Sequence, residues 1–400
     1  MLRRLALFYT HRPLRVVGFT FFTVGIMFAS FMARLPEFKA RLDLSEAALG
    51  QVLLGLPIGA IIVVPLINPL LRRYSTPVVM RWSAILACAS VVLIPLAPSG
   101  LLLAVALGVL GLFESPLDVS MNALAAEIER RDRLSIMSAC HGMFSLGGMV
   151  GAVVASAMVW LGVSLLIHGA LIAVVFGSIH LAWRTGYRIL PDTVTTSPEQ
   201  TDTVHKPTTR RLPSIALVVP VVIGLFIMLA EGSIGDWSAL YLRDVLSSEA
   251  QFVAFGFAAF MGAMALGRLM GDTIIARFGG YSMVAGGSVL ATVGLSLVLL
   301  TASVWVAVIG FGLVGLGLSC VVPVLFSLAA QVPGTPADVG IAAIAVSGRI
   351  GFMTGPPLIG FIAEAHSLVA GLGLVAVLTA VGALLALYGE RRVRRLGEVS

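Results

Sequence analysis

Glu114, Asp118 and Asn122 stand at i, i+4 and i+8 in "GLFESPLDVSMNALAAE", a stretch otherwise dominated by apolar residues. On a helix each step turns by about 40° and rises by about 6 Å, so the three side chains form one stripe. Two carboxylates that close in an apolar setting repel each other, and one becomes a candidate to take up and release a proton. The competing reading is a staple between helices, in which a cation such as Arg349 neutralises Glu114.

A second group of carboxylates lies in "LAEGSIGDWSALYLRD", after sixteen uncharged residues from Ile215 to Ala230. Glu231, Gly232, Gly235 and Asp236 are expected toward the outer end of a span. Glycine loosens a helix there and a carboxylate can line a vestibule. Trp237 would add an aromatic face for a sugar-like ring or an apolar solute. The alternative, an interfacial Trp with carboxylates at headgroup level, suits Asp236 better than Glu231.

His141 and Arg349 occupy equivalent positions in an internal repeat, "HGMFSLG" against "RIGFMTG". Arg349 reads as the deep arginine of the chain, able to bind an anionic substrate group or, more economically, to act as counter-ion to Glu114. His141 could relay a proton or simply hydrogen-bond within a packed helix. In "GRLMGDTIIARFGG", Gly267 and Gly271 permit close helix approach, while Arg268, Asp272 and Arg277 supply charge at a junction between spans. This set reads as a gate rather than a substrate site. The matching first-half segment, "VPLINPLLRRYS", keeps Arg73 and has Asn68 in place of the aspartate. Cys88, Cys140 and Cys320 have no metal-ligand spacing and read as small packing residues. No nucleotide loop, hydrolase constellation or haem spacing occurs, so neither an enzyme nor an ATP-driven pump is expected, and no cofactor or metal.

The elements that carry these residues must cross a membrane. With 58% hydrophobic residues, 12% charged and a mean hydropathy of +1.02, the chain is far more apolar than a soluble domain. A bilayer core of about 30 Å needs about 20 apolar residues per helix. Twelve stretches qualify, the first near 14–33, the seventh near 214–238 and the last near 367–388. Lipid cannot satisfy exposed backbone groups, and no run shows the alternation of a barrel strand, so the fold class is all-α.

Placing the N-terminus inside leaves only Arg34, Lys39, Arg41 and Arg243 in outer loops. Both termini are therefore expected in the cytoplasm, with the protein multi-pass in a bacterial cytoplasmic (inner) membrane. The net charge of +6 calls for no nucleic acid, and the tail "ERRVRRLGE" suits anionic lipid headgroups.

The spans divide into two related halves. "GLFESPLDVSMNALAAE" from Gly111 aligns with "GLGLSCVVPVLFSLAAQ" from Gly315, Arg73-Tyr74 with Arg277-Phe278, Glu231 with Met27, and Asp272 with Asn68. The expected organisation is a six-helix bundle over 1–183, a flexible cytoplasmic linker over 184–213, rich in Pro, Thr and charge, and a second bundle over 214–400.

With these residues in view, the sequence resembles the major facilitator superfamily over its whole length. The glycine-arginine-glycine-aspartate segment looks like that family's signature between spans two and three, repeated between eight and nine. "LFESPLDVSMN" is similar to the span-four motif of the fucose-permease-like branch, and "GDWSALYLRD" to its span-seven segment. "FASFMARLPEFKARLDLSEAALG" looks like the group that includes YbjJ and MosC, carriers linked by name to rhizopine transport. The resemblance implies a functional glutamate at Glu114, with Asp118 where the branch has an asparagine. It puts His141 and Phe144 where span-five amides contact sugar, and matches Trp237. The branch's span-one aspartate would fall at Met32, which moves proton coupling to Glu114 and Asp118, or to Glu231.

The expected function is therefore secondary transport of a small sugar- or polyol-like solute by alternating access with proton symport, by a monomer. The site would use Asn122, His141, Phe144, Glu231, Trp237 and Arg349 for substrate. Proton-driven efflux of amphipathic compounds is the alternative within the same fold, and a non-transporting membrane sensor the alternative of another class.

Overall fold

The computed structural model describes residues 7–193 and 215–397, with only the backbone described at 215, 271–278 and 392–397. Among the described residues, twelve helical segments are long and apolar enough to cross a membrane. They are spans one to twelve: Arg12–Met32, Glu46–Arg73, Thr76–Leu96, Gly100–Asp132, Met137–Trp160, Leu165–Ala182, Val218–Val245, Ala250–Met270, Gly280–Leu300, Val304–Ala330, Ala337–Ala365 and Leu368–Arg391. Large apolar side chains such as Leu101, Val174, Leu300 and Ile309 are exposed on them, as the surface of a protein in hydrocarbon requires. The chain divides into two compact units, Met1–Lys206 and Pro207–Ser400, and each carries six spans.

Within the first unit, spans one and five approach until their backbones touch. A Cβ on Gly25 would lie 2.0 Å from the carbonyl oxygen of Phe144, and one on Gly147 2.1 Å from that of Phe22. The second unit repeats the device between spans seven and eleven, where a Cβ on Gly351 would lie 2.3 Å from the carbonyl oxygen of Leu225. Lipid tails are as apolar as leucine, so helices in a membrane associate through close packing of small residues rather than through the hydrophobic effect.

Three expectations change. Span seven does not stop near 238 but runs as an α-helix over Val218–Leu240 and a π-helical turn over Tyr241–Val245. The apolar "SALYL" after Trp237 keeps the helix going, so Asp236 is 4% exposed and Trp237 fully buried rather than at a headgroup interface. Second, "GRLMGDTIIARF" is not a junction loop: the helix runs unbroken over Phe255–Phe278, and the turn falls at Gly279, whose φ of 80° is one that glycine adopts without strain. Third, the first ten residues of the segment read as a linker are folded. Arg184–Arg188 is a short helix, Tyr187 is buried, and Asp192 accepts from the amide and hydroxyl of Thr76. Residues 194–214 lie outside the described ones.

Candidate functional site

Span four is one helix of 33 residues with Pro116 inside it. Proline lacks the amide that would bond the carbonyl of residue 112, so one rung of the ladder, from 116 to 112, is missing in the turn that carries Glu114. Glu114, Asp118 and Asn122 are all half-buried. The Asn122 amide donates to both the backbone carbonyl and the carboxylate of Asp118, each at 2.9 Å, and Asp118 is close enough for its charge to act on Glu114. The stripe is thus a physical unit, with Asp118 oriented by Asn122.

His141 and Phe144, on span five, both meet span one. The His141 ring lies edge-on to Phe21 at 5.3 Å between centroids, and Phe144 lies 6.4 Å from Phe28. Ser145 donates to the His141 carbonyl. Met32, at the C-terminal end of span one, is buried.

In the second unit Glu231 is the fourteenth of the 28 residues of span seven, at its middle rather than toward one end. There it pairs with Arg268 of the span-eight helix, which donates to its carboxylate at 3.3 Å. Side-chain exposures of 12% for Arg268 and 17% for Glu231 make this a charge pair largely out of water. Sequence spacing groups Arg268 with the gate and Glu231 with the substrate; the fold brings them together. Arg349 is exposed on its helix and makes no ion pair among the described residues, so the arginine deep in a span is Arg268.

Of the other residues read as a gate, Asn68 and Arg73 are exposed, and the Arg73 guanidinium sits over the ring of its neighbour Tyr74. A Cβ on Gly267 would meet the Ser319 hydroxyl, and Cys320 donates to the Gly267 carbonyl at 3.3 Å, so spans eight and ten touch at this glycine. Gly271, Asp272 and Arg277 lie on the helix, but their side chains fall outside the described residues.

Two clusters carry no signature in the sequence. Arg34, only 3% exposed, donates to both carboxylate oxygens of Glu37 at 2.5 and 2.6 Å and to the Val163 carbonyl at 2.9 Å, with His168 at 3.5 Å. This ties the end of span one to the start of span six. His180, fully buried, bonds Tyr187 at 2.7 Å and Thr23 at 3.2 Å through its two ring nitrogens. Burial pushes the Tyr187 hydroxyl well above its usual range, so it stays neutral and able to share that bond. Long-range partners of this kind leave no local pattern to read.

The sequence profile of the Major Facilitator Superfamily matches residues 17–340, and the chain belongs to that family of membrane transporters. Its similarity extends to an uncharacterized MFS-type transporter of Yersinia pestis, 34% identical over 90% of this chain and 91% of that one. It is also similar to the membrane protein MosC of Rhizobium meliloti, 29% identical over 92% and 88%. Among solved structures the fold matches a point mutant of the nucleoside transporter NupG with a TM-score of 0.76 at 11% identity, over 95% of this chain and all of that one. These are transporters and not enzymes, and the chain is a multi-pass integral membrane protein.

Proposed function

We propose that the protein takes up a small polar organic solute, sugar- or polyol-like, by alternating access, and that Glu114 and Asp118 couple uptake to protons. The carrying observation is the span-four stripe: two carboxylates within reach of each other's charge, half-buried in an apolar helix, one oriented by Asn122. A charged side chain in a span is costly unless it serves a path or a partner. Repulsion between the two makes one proton the natural occupant. Asn122, His141, Phe144, Glu231, Trp237 and Arg349 are the substrate residues of this reading, and Gly267, Arg268, Gly271, Asp272 and Arg277 with Asn68 and Arg73 its gate. NupG, a nucleoside transporter by name, has a fold of this kind, and a nucleoside contains a sugar, which is compatible with a polyhydroxylated substrate here.

Both termini and the 184–213 segment belong in the cytoplasm in this reading, with bundles over 1–183 and 214–400 and one chain carrying the whole path. Single cysteines at Ser197 and Ser247 should label from opposite sides of the membrane; labelling from one side removes the topology.

The decisive experiment is uptake into proteoliposomes of a panel of sugars, polyols and amphipathic cations under an imposed pH gradient, wild type against Glu114→Gln. Glutamine keeps the shape and fixes the neutral state. Gradient-driven accumulation should vanish while counterflow exchange persists. Accumulation that continues with its pH dependence intact assigns the proton elsewhere and leaves Glu114 a packing residue.

A further inference from the structure

Span seven holds a second carboxylate whose surroundings differ from those of Glu231. Asp236 is 4% exposed, and no hydrogen bond or ion pair reaches it among the described residues. Among the described side chains, the charged groups on the elements packed against this span are engaged elsewhere or make no pair with it. Arg268 is paired with Glu231, Arg243 with Asp244, and Glu390 accepts from Ser282. Asp338, Arg349 and Glu364 on span eleven and Arg391 on span twelve make no pair with Asp236.

The same turn and a half of helix holds further orphans. Six buried side-chain polar atoms lack a partner among the described residues, and three of them, on Ser233, Trp237 and Ser238, flank Asp236. Buried polar groups nearly always find partners, so their concentration on one segment calls for an explanation. A packing requirement does not supply it. At the offset that aligns Glu231 with Met27, Asp236 aligns with Met32, and Met32 is equally buried at 4%. The scaffold accepts an apolar side chain at this position, so the acid is not there to fill space.

We propose that Asp236 is a proton-binding site of the second unit, a carboxylic acid held neutral in this conformation that exchanges its proton with water when span seven moves. An ionised carboxylate removed from water without a cation or donors is strongly disfavoured, whereas the neutral acid is tolerated. A group that accepts a proton in one setting and meets partners in another is what a moving span can load and unload. The orphaned hydroxyls of Ser233 and Ser238 and the indole N–H of Trp237 are unspent donors on the same segment. The π-helical turn that follows at Tyr241–Val245 is an irregularity of the kind that collects at functional sites. The inference sits beside the proton-coupled reading, and its test needs no transport substrate, so either can fail alone.

The test is infrared spectroscopy of the purified full-length protein in lipid nanodiscs at neutral pH, reading the carbonyl stretch of protonated carboxyl groups. Asp236→Asn should remove one such band, which Glu114→Gln leaves in place. In the wild type that band should shift on transfer to deuterated buffer and disappear on raising the pH. Should Asp236→Asn fail to fold, Asp236→Glu keeps the acid and should move the band in frequency. A spectrum unchanged by either substitution shows an ionised aspartate and overturns the assignment. A band that refuses deuterium shows a sealed structural acid and overturns the exchange. Loss of the band on adding sodium at fixed pH identifies a metal-cation site instead, and overturns it too.

Discussion

Spans four and seven each carry a pair of carboxylates away from their charged ends, Glu114 with Asp118 and Glu231 with Asp236, and one residue of spacing makes the pairs different devices. Glu114 and Asp118 are four apart, about 40° around the helix, and share a face. Asn122, four further on, joins them and hydrogen-bonds Asp118. Glu231 and Asp236 are five apart, about 140° around, and look in different directions. One of them meets Arg268, and the other meets no cation among the described residues. The internal repeat sharpens the contrast. Glu114 aligns with Leu318, Glu231 with Met27 and Asp236 with Met32, all buried apolar residues. The two units share a scaffold of glycine contacts and place their ionisable groups on non-equivalent spans. The scaffold is thus set by backbone approach, and the chemistry by which positions tolerate a charge.

The largest expected effect follows from breaking the charge pair between Glu231, at the middle of span seven, and Arg268. Glu231→Met copies the repeat partner but strands Arg268, and should cost about 3–5 kcal/mol in thermal unfolding. Adding Arg268→Gln should return much of that loss, through a coupling of about 1–3 kcal/mol. A double variant no better than the sum of the singles means the two side chains do not depend on each other.

If the scaffold is common to both units, the same insult should hurt both alike. Gly25→Ala and Gly351→Ala each drive a methyl into a backbone carbonyl, at 2.0 and 2.3 Å before relaxation. Each should lose about 1–3 kcal/mol or more, as packed helices are pushed apart. A large loss in one and none in the other, measured on monodisperse protein, breaks that symmetry.

Smaller again is Asn122→Ala, which removes two hydrogen bonds from Asp118 and should cost about 1–2 kcal/mol. The loss should shrink in an Asp118→Asn background if the carboxylate is the partner that matters. Smallest is Arg349→Gln. That side chain is exposed and makes no ion pair among the described residues, so its removal should stay within about 0.5 kcal/mol. The difference between Arg268 and Arg349 under the same substitution, read from unfolding midpoints, is the most direct check on which arginine the fold has buried.

What can be read without coordinates is whatever repeats or accumulates along the chain. Twelve apolar runs, their pairing into two halves and the Glu114–Asp118–Asn122 stripe all follow from local spacing, because hydrocarbon demands long helices and a helix has one period. The length of span seven is the boundary case. Past Trp237 the sequence offers apolar "SALYL" followed by Arg243 and Asp244, and only the folded helix shows that it continues. The partner of Glu231 is not legible at all. Arg268 lies 37 residues away on another span, in a segment that reads as a gate at the junction between spans. Arg34 with Val163 and His180 with Thr23 are likewise joined across more than a hundred residues. A spacing within one helix fixes which side chains share a face, but what that face meets depends on the rotation and depth of a second helix. Those are set by packing along its whole length, and so the pairing of Glu231 and the isolation of Asp236 were decided by the tertiary structure alone.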